Sequence, residues 1–498
     1  MRIFPGLTAA VIAITISPNT QAQDNSLAIY SSTVGYNINQ NQQVRPQQIP
    51  GFAVVKQHKK MAFKKGRFEL AYDDVTAHID PTTVTFSIPD NPDAATLLDQ
   101  NYQYDLVGSD RLLQKYIDKN IAVSFDKGGE PSRVEGQLLS TEGGLILQKE
   151  NGALMTLRNW SEISFPELPG GLLTKPTLVW LLDSNTRQEH LVAVSYQTAG
   201  MTWWADYILE LDRDKTCEFN LSAWVSIINQ SGKSFNDYAL KLVAGEVNQS
   251  GNKIQVTGSR MRQVSYMEQE GGFQEESVFE YHQYVLPRRV DLPQNSTKQI
   301  RLFTPKQTIQ CERNLVFDPL NKQRFNITRP VLDTGYLSYA NQKKTPVVAR
   351  LQFKNNKQNN LGIPLPAGRV RVNQADSDGH LTFIGADQIG HTANKQTVTL
   401  TLGNSFDVNG KRRQTDFTRD KRQAQESFEI ILSNGKKSAE SVVVREHLYR
   451  WTNWTITDAS HKYSKVDSNS IEFNVKVPAE GETSVRYTVQ YNWPDWND

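Results

Sequence analysis

The run Gly200-Met201-Thr202-Trp203-Trp204-Ala205-Asp206-Tyr207, followed by Leu221-Ser222-Ala223-Trp224-Val225-Ser226-Ile227 and the turn Asn229-Gln230-Ser231-Gly232, decides the fold. Successive side chains of a β-strand point to opposite faces. Trp203, Ala205, Tyr207, Leu209 and Leu211 therefore share one face, with Trp204, Asp206, Ile208, Glu210 and Asp212 on the other. Leu221, Ala223, Val225 and Ile227 repeat the period, and Leu240, Leu242 and Ala244 resume it after the turn. Alternating strands joined by turn chemistry read as part of an antiparallel β-sandwich core, not as an active site. Trp203 and Tyr207 are its expected core anchors, and Asn229 and Gly232 its turn. Trp204 and Trp224 lie opposite the apolar registers of their strands, free to face a neighbouring domain or a partner.

Outward from this stretch the same pattern recurs. Downstream, short alternating runs at 369–372, 381–384, 398–402, 428–432, 441–444, 471–477 and 485–491 suffice for a second sandwich. Upstream, 52–55, 68–72 and 84–88 are β-branched and aromatic runs bounded by Gly, Pro and Asp, which read as strands. Residues 109–117 show helical spacing, with Ser109 as cap and Leu112, Leu113, Tyr116 and Ile117 on the apolar face. Between 121 and 165, short strands and tight turns such as Asn151-Gly152 predict a small SH3-like barrel. Residues 260–280 lack periodicity and read as a long loop. The expected fold is all-β: tandem β-sandwich domains, a small SH3-like barrel in the N-terminal half, and few helices. The divisions are a signal peptide at 1–22, a polar segment at 23–51, a β-rich domain at 52–120, the barrel at 121–170, a central sandwich at 171–330 and a C-terminal sandwich at 331–498. Order is expected to begin near Phe52.

The 498 residues carry 55 Lys and Arg against 53 Asp and Glu, a formal net charge of +2. That balance gives no reason to expect nucleic acid as a partner. Met1-Arg2, an apolar run to Ile16, then Ser17-Pro18 and a small residue at Ala22 form a secretory signal, so a periplasmic or secreted location is expected. Nothing later approaches the roughly 20 apolar residues of a transmembrane segment. Cys217 and Cys311 are the two cysteines. In an oxidising compartment they either form a disulfide or remain separate thiols, and they lack the clustered spacing of a zinc site.

Gly200-x-x-Trp203-x-Ala205-x-Tyr207, Asn229-x-Ser231-Gly232-x-x-Phe235, Leu240-x-Leu242, the segment Ile363 to Val370, Phe383 to Thr392 and Leu402 to Val408 together resemble the shared C-terminal region of the mucoidy inhibitor A-like proteins. Residues 79–84 and 100–106 are similar to the exported, single-chain members. The resemblance implies a domain of unknown function and an extracytoplasmic compartment, with no catalytic residues to carry over. Two features depart from the pattern: the chain has no coiled-coil-like segment, and Phe235 stands where a Trp is expected.

No His-Glu-x-x-His, Gly-x-Ser-x-Gly, phosphate-loop or dinucleotide fingerprint is present, and no cofactor or metal is expected. Glu446-His447 is no ready dyad, because strand neighbours point apart. Asp376-Ser377-Asp378-Gly379-His380 reads as a hairpin turn and not as a calcium loop. Asp387 and His391 are a candidate polar pair. Lys411, Arg412, Arg413, Arg419, Lys421 and Arg422 read either as an anion-binding patch or as a charged hairpin guarding a sheet edge. The expected function is that of a non-catalytic cell-envelope binding or structural protein, its partner an envelope protein or an anionic polysaccharide or lipid. The rival is an envelope hydrolase with an unrecognised acid/base pair.

Overall fold

The computed structural model describes residues 25–31, 48–104, 106–169, 172–213, 217–245, 273–278, 281–320, 327–333 and 344–494. The expected signal peptide and residues 260–272 of the expected loop lie outside them.

The chain opens with β1 (Ser26–Tyr30) and β2 (Phe52–Ala62), then β3 (Gly66–Tyr72), β4 (Ile79–Ser87), β5 (Ala95–Gln103) and α1 (Ser109–Lys115). Next come β6 (Asn120–Lys127), β7 (Glu130–Ser140), β8 (Leu145–Gln148), β9 (Leu154–Leu157), β10 (Glu162–Ser164) and β11 (Thr177–Ser184). The opening motif forms β12 (Glu189–Thr198), β13 (Met201–Leu211), β14 (Glu218–Asn229) and β15 (Phe235–Ala244), followed by β16 (Gln274–Val278), β17 (Tyr281–Val285), β18 (Val290–Leu292) and β19 (Ser296–Gln310). The rest comprises β20 (Glu312–Phe317), β21 (Lys344–Lys354), β22 (Gly368–Ala375), β23 (Leu381–Ile389), β24 (Thr397–Arg419), β25 (Gln423–Asn434), β26 (Glu440–His447), β27 (Trp454–Ala459), β28 (Tyr463–Lys465), β29 (Ser470–Val477) and β30 (Gly481–Asn492). The fold is all-β, as the alternation predicts.

Two sandwich units share one plan. In the first, β1 pairs antiparallel with β2 and parallel with β15, β2 pairs with β12, β13 with β14, β14 with β19, and β15 with β18. In the second, β20 pairs antiparallel with β21 and parallel with β26, β21 with β24, β24 with β25, β25 with β30, and β26 with β29. Each of these six pairings of the first unit has its counterpart in the second. The single 23-residue β24 does the work of β12 plus β13 and carries the chain from one layer to the other.

The corner after the fourth layer-forming strand repeats down to its hydrogen bonds. Asn229 Nδ2 donates to the carbonyls of Lys233 (2.8 Å), Leu292 (2.9 Å) and Pro293 (3.2 Å). Asn434 Nδ2 donates to those of Ser438 (2.8 Å), Val477 (3.4 Å) and Pro478 (2.9 Å). Each Asn Oδ1 also accepts the backbone N–H two residues on, from Ser231 and from Lys436. One buried amide thus locks two turns together in each unit, meeting the demand that buried carbonyls be paired.

Insertions differ between the units and explain why linear divisions do not follow the sheets. Strands from 52–120 and 171–330 interleave: β2 pairs with β12, and β11 sits between β3 and β5. The second unit begins at β20 and lends β22 to the first, parallel to β13. One hydrophobic core therefore runs from Leu27 to Leu400, and a second from Leu315 to Trp493. Strands β6 to β10 form a separate five-stranded sheet with its own core of Leu113, Tyr116, Val123, Leu138 and Leu147 among others. That sheet stays open, since its short end strands β9 and β10 do not pair.

Several expectations are corrected. Order begins before Phe52: β1 lies between β15 and β2, with Leu27 and Ile29 fully buried. Five residues are too few for periodicity to register among polar neighbours. Gly108, not Ser109, is the N-cap of α1, and Ser109 has already entered the helix. Trp204 is only 4% exposed, covered by Ile49 as residues 48–51 cross that face, with the Arg369 guanidinium 5.3 Å from its ring centroid. Trp224 is half-buried beneath Arg301. Of the two states expected of the cysteines, the disulfide is the one present: Cys217 and Cys311 are bonded, with Cα atoms 5.1 Å apart, tying the start of β14 to the end of β19. No helix among the described residues is long and apolar enough to cross a membrane.

Candidate functional site

The turn that organises the first unit also builds its most concentrated polar cluster. Asn229 positions the Lys233 carbonyl, and Gly232 sits where a Cβ would lie 2.2 Å from that of Ala77, at φ +88°. The turn is thereby pressed against the loop 73–77. Lys233 Nζ reaches across to Asp74, donating to its carboxylate and, at 2.8 Å, to its backbone carbonyl. Gln57 Nε2, from β2, donates to Asp74 Oδ2 (3.0 Å) and to the Tyr238 hydroxyl (2.8 Å). Tyr72, at the end of β3, and Tyr196, on β12, complete the group, each 1% exposed.

Burial sets the protonation here. Desolvation lowers the Lys233 ammonium pKa, opposed by its bonds to Asp74. Desolvation raises Tyr238 to about 12 and lifts Tyr72 and Tyr196 further, with mutual repulsion among the three hydroxyls and Asp74 adding to it. All three phenols are neutral at physiological pH. The hydroxyls of Tyr72 and Tyr196 and Gln57 Oε1 are buried without a hydrogen bond to any described residue. Tyr196 Oη lies against the Thr76 backbone, a contact that offsets part of the rise.

A second cluster lies in the other unit. His447 Nε2 is 3.2 Å from Asp318 Oδ1, and its Nδ1 is 3.2 Å from Ser470 Oγ. The hydrogen bond to Asp318 is the main cause raising the His447 pKa, against the opposing pull of burial.

The residues nominated from sequence are mostly committed elsewhere. Asp387 and His391 do not pair. Asp387 accepts the backbone N–H of Gln388 (2.8 Å) and of Thr401 (2.6 Å), whereas His391 Nδ1 accepts that of Ala367 (3.1 Å). Although the His391 residue is exposed, its ring nitrogen is crowded; desolvation there, with nearby His282, lowers its pKa to about 4. The six cations do not form one patch. Arg412 points into the core, 1% exposed, where its Nε bonds Glu446 Oε2 at 2.9 Å. Arg413 pairs with Glu429, and Arg419 donates to the Leu332 carbonyl. Lys411, Lys421 and Arg422 are exposed. Nor does the hairpin guard an edge, since β24 and β25 lie inside a nine-stranded sheet. Asp376 Oδ1 accepts the N–H groups of Asp378 and His380, which is turn chemistry. Trp203 and Tyr207 are buried anchors, donating to the Val243 (3.3 Å) and Pro366 (2.8 Å) carbonyls.

Residues 192–495, spanning nearly all of β12 to β30, match the family described as a domain of unknown function, DUF4139. The chain belongs to the DUF4139 family. No curated protein matches it. The DUF4139 region supplies Tyr196, Lys233 and Tyr238 to the polar cluster, whereas Gln57, Tyr72 and Asp74 come from outside it. That division explains why motif reading missed the site: Lys233 occupies an unspecified place in the Asn-x-Ser-Gly turn, and its partners are far away in sequence. The one available signal was Gln57, a polar residue on the buried parity of β2 after Ala53 and Val55.

Proposed function

We propose that this DUF4139 chain is an exported cell-envelope protein of the mucoidy inhibitor A-like kind, carrying a signal peptide, and that it acts by binding and not by catalysis. The observation that carries the reading is the polar cluster at the Asn229 turn. Buried polar groups in proteins are nearly always hydrogen-bonded, and here three buried atoms from three strands keep unused hydrogen-bonding capacity behind the Lys233–Asp74 pair. The disulfide agrees with an oxidising, periplasmic or secreted location. The partner is an envelope protein or an anionic polysaccharide or lipid, with Lys421 an exposed cation at the β24–β25 hairpin tip. Thermal-shift measurements on the full chain against envelope polysaccharides, lipids and peptides test this. A saturable rise in the melting midpoint with one class is expected; no shift with any of them defeats the reading.

A hydrolase is the second reading, favoured by one observation: Asp318, His447 and Ser470 stand in line, carboxylate to imidazole to hydroxyl. In such a site Nδ1 would take the Ser470 proton while Asp318 held Nε2–H in place. Ser470 is 4% exposed, so attack requires the 466–470 turn to move. Covalent labelling of Ser470 by a fluorophosphonate, lost in Ser470→Ala and His447→Asn, would establish this activity. An unlabelled chain between pH 7 and 9 removes it.

A further inference from the structure

Resting on the binding reading above, we infer that the cluster of Gln57, Tyr72, Asp74, Tyr196, Lys233 and Tyr238 is a recognition site for the hydroxyl groups of a sugar. The argument begins with convergence. Gln57 bonds both Tyr238 and Asp74 through one amide nitrogen, which leaves its Oε1 inside the same group. Tyr72 and Tyr196 are each close enough to Asp74 and Tyr238 for their charges to interact. The unused capacity is therefore gathered in one place, where β2, the end of β3, β12 and β15 meet the loop 73–77.

The chemistry of those atoms selects the ligand. Gln57 Oε1 can only accept, so an occupant must donate to it. The phenols of Tyr72 and Tyr196 each donate one hydrogen bond and can accept another. Vicinal hydroxyls, which do both, satisfy such a set; a fully ionised anion such as acetate offers no donor, and a quaternary ammonium centre offers neither donor nor acceptor. Charge points the same way. Lys233 and Asp74 already neutralise each other, and a further buried ion would lack a counter-charge. Quaternary ammonium binding over the tyrosine faces is also opposed by Lys59, whose ammonium lies 5.5 Å from the Tyr72 ring centroid.

Access is from the Lys233–Asp74 side. Asp74 keeps 46% of its side-chain surface exposed and Lys233 13%, so the pair is where the cluster reaches solvent. A sugar binding there displaces the Lys233–Asp74 pair, keeps any charged substituent at the rim near exposed Lys59, and offers its ring hydroxyls to Tyr72, Tyr196 and Gln57, whose polar atoms are otherwise sealed.

Saturation-transfer NMR and calorimetry on the full chain test the site, using glucose, N-acetylglucosamine and glucuronate as sugars and phosphate, acetate and choline as controls. Binding by at least one sugar is expected. Tyr72→Phe and Tyr196→Phe should each weaken it about tenfold, the worth of one hydrogen bond to a buried hydroxyl. Both variants keep the ring volume, so their melting midpoints should stay close to that of the native chain, most clearly for Tyr72→Phe, which deletes a buried hydroxyl without a hydrogen bond to any described residue. Unchanged affinity in both variants overturns the proposal, as does a matched fall in their midpoints, which would mark the hydroxyls as structural through bridging water. If only a control compound binds, and Tyr72→Phe abolishes it, the sugar assignment fails while the binding reading stands. If none of the six probes and none of the envelope fractions bind, both fail.

Discussion

Trp203 shows how one residue can organise a sandwich. Its ring is 1% exposed in the larger core, meets Tyr284 edge-on at 6.0 Å, and donates its Nε1–H to the Val243 carbonyl. Truncation removes both packing and a hydrogen bond, so Trp203→Ala should cost about 3–5 kcal/mol in urea unfolding; an unchanged midpoint would show that the stretch is not the organising one. His447 makes a different kind of contribution. Asp318 just after β20, Asp467 ahead of β29 and Ser470 at its start face it, while Arg445 and Glu446 precede it on β26. Its pKa is raised on folding, so the stabilisation is fully present below the unfolded value of about 6.5 and is lost as pH rises through the higher folded value. Stability should therefore fall from about pH 6.5 upward in the native chain, and His447→Gln should flatten that part of the profile. A profile identical in the variant would show that His447 is not the group responsible.

At the scale of the element, the two units solve the same packing problem with opposite chemistry. Position for position before the corner asparagines, Leu221 of β14 answers to Glu426 of β25, both essentially buried. Ala205 of β13 likewise answers to Arg412 of β24, counted from the strand partners of those asparagines, Met201 and Val408. The second core thus holds Arg412 against Glu446, with the Tyr487 hydroxyl donating to Glu446 at 2.6 Å, and Arg450 against Glu426 at 2.6 Å. Removing one partner of such a pair strands a buried charge, so Glu446→Leu should cost about 3–5 kcal/mol, whereas Arg412→Met with Glu446→Leu should recover most of that loss. A double variant no more stable than the single, measured by urea unfolding, would mean that the pair itself and not its desolvation sustains the core. This pairing also marks where sequence stops being readable. The strands of the 200–244 stretch, their parity and the all-β class follow from alternation. Arg412 stands in a run of three cations, and nothing local says that the middle one faces inward opposite a glutamate 34 positions away. The same holds for β1, whose five residues become central strand only because β2 and β15 flank them, and for the polar cluster, whose members meet only after β2, β3, β12 and β15 assemble. The duplication is invisible in the letters because its invariants are pairings and two corner amides, not a repeated string.

For the whole molecule, the question is which boundaries are folding boundaries. The DUF4139 match begins at 192, yet the first sandwich is completed by β1 and β2, which lie between β15 and β12 in one sheet. Residues 192–495 alone would expose two unpaired strand edges and open the larger core at Leu27, Ile29, Ala53 and Val55. The small five-stranded unit is the reverse case. It enters and leaves the sandwich at adjacent points, where Leu106 bridges Leu173 and Val107 N–H donates to the Leu173 carbonyl at 2.9 Å. Its own core and the Tyr116 hydroxyl bond to the Glu167 carbonyl close it on itself. Replacing residues 109–169 with a short Gly-Ser linker should therefore leave the remainder folded, with its melting midpoint close to that of the full chain. The Cys217–Cys311 bond, which spans 94 residues and is worth up to about 4–5 kcal/mol in the chain-entropy model, provides the readout, because it forms only if β14 and β19 meet. Two alkylatable thiols or aggregation in the shortened chain would place the small unit inside the same cooperative fold. Quantitative disulfide formation there, set beside its failure in 192–495, would put the folding boundary around the insertion and not at the start of the family domain.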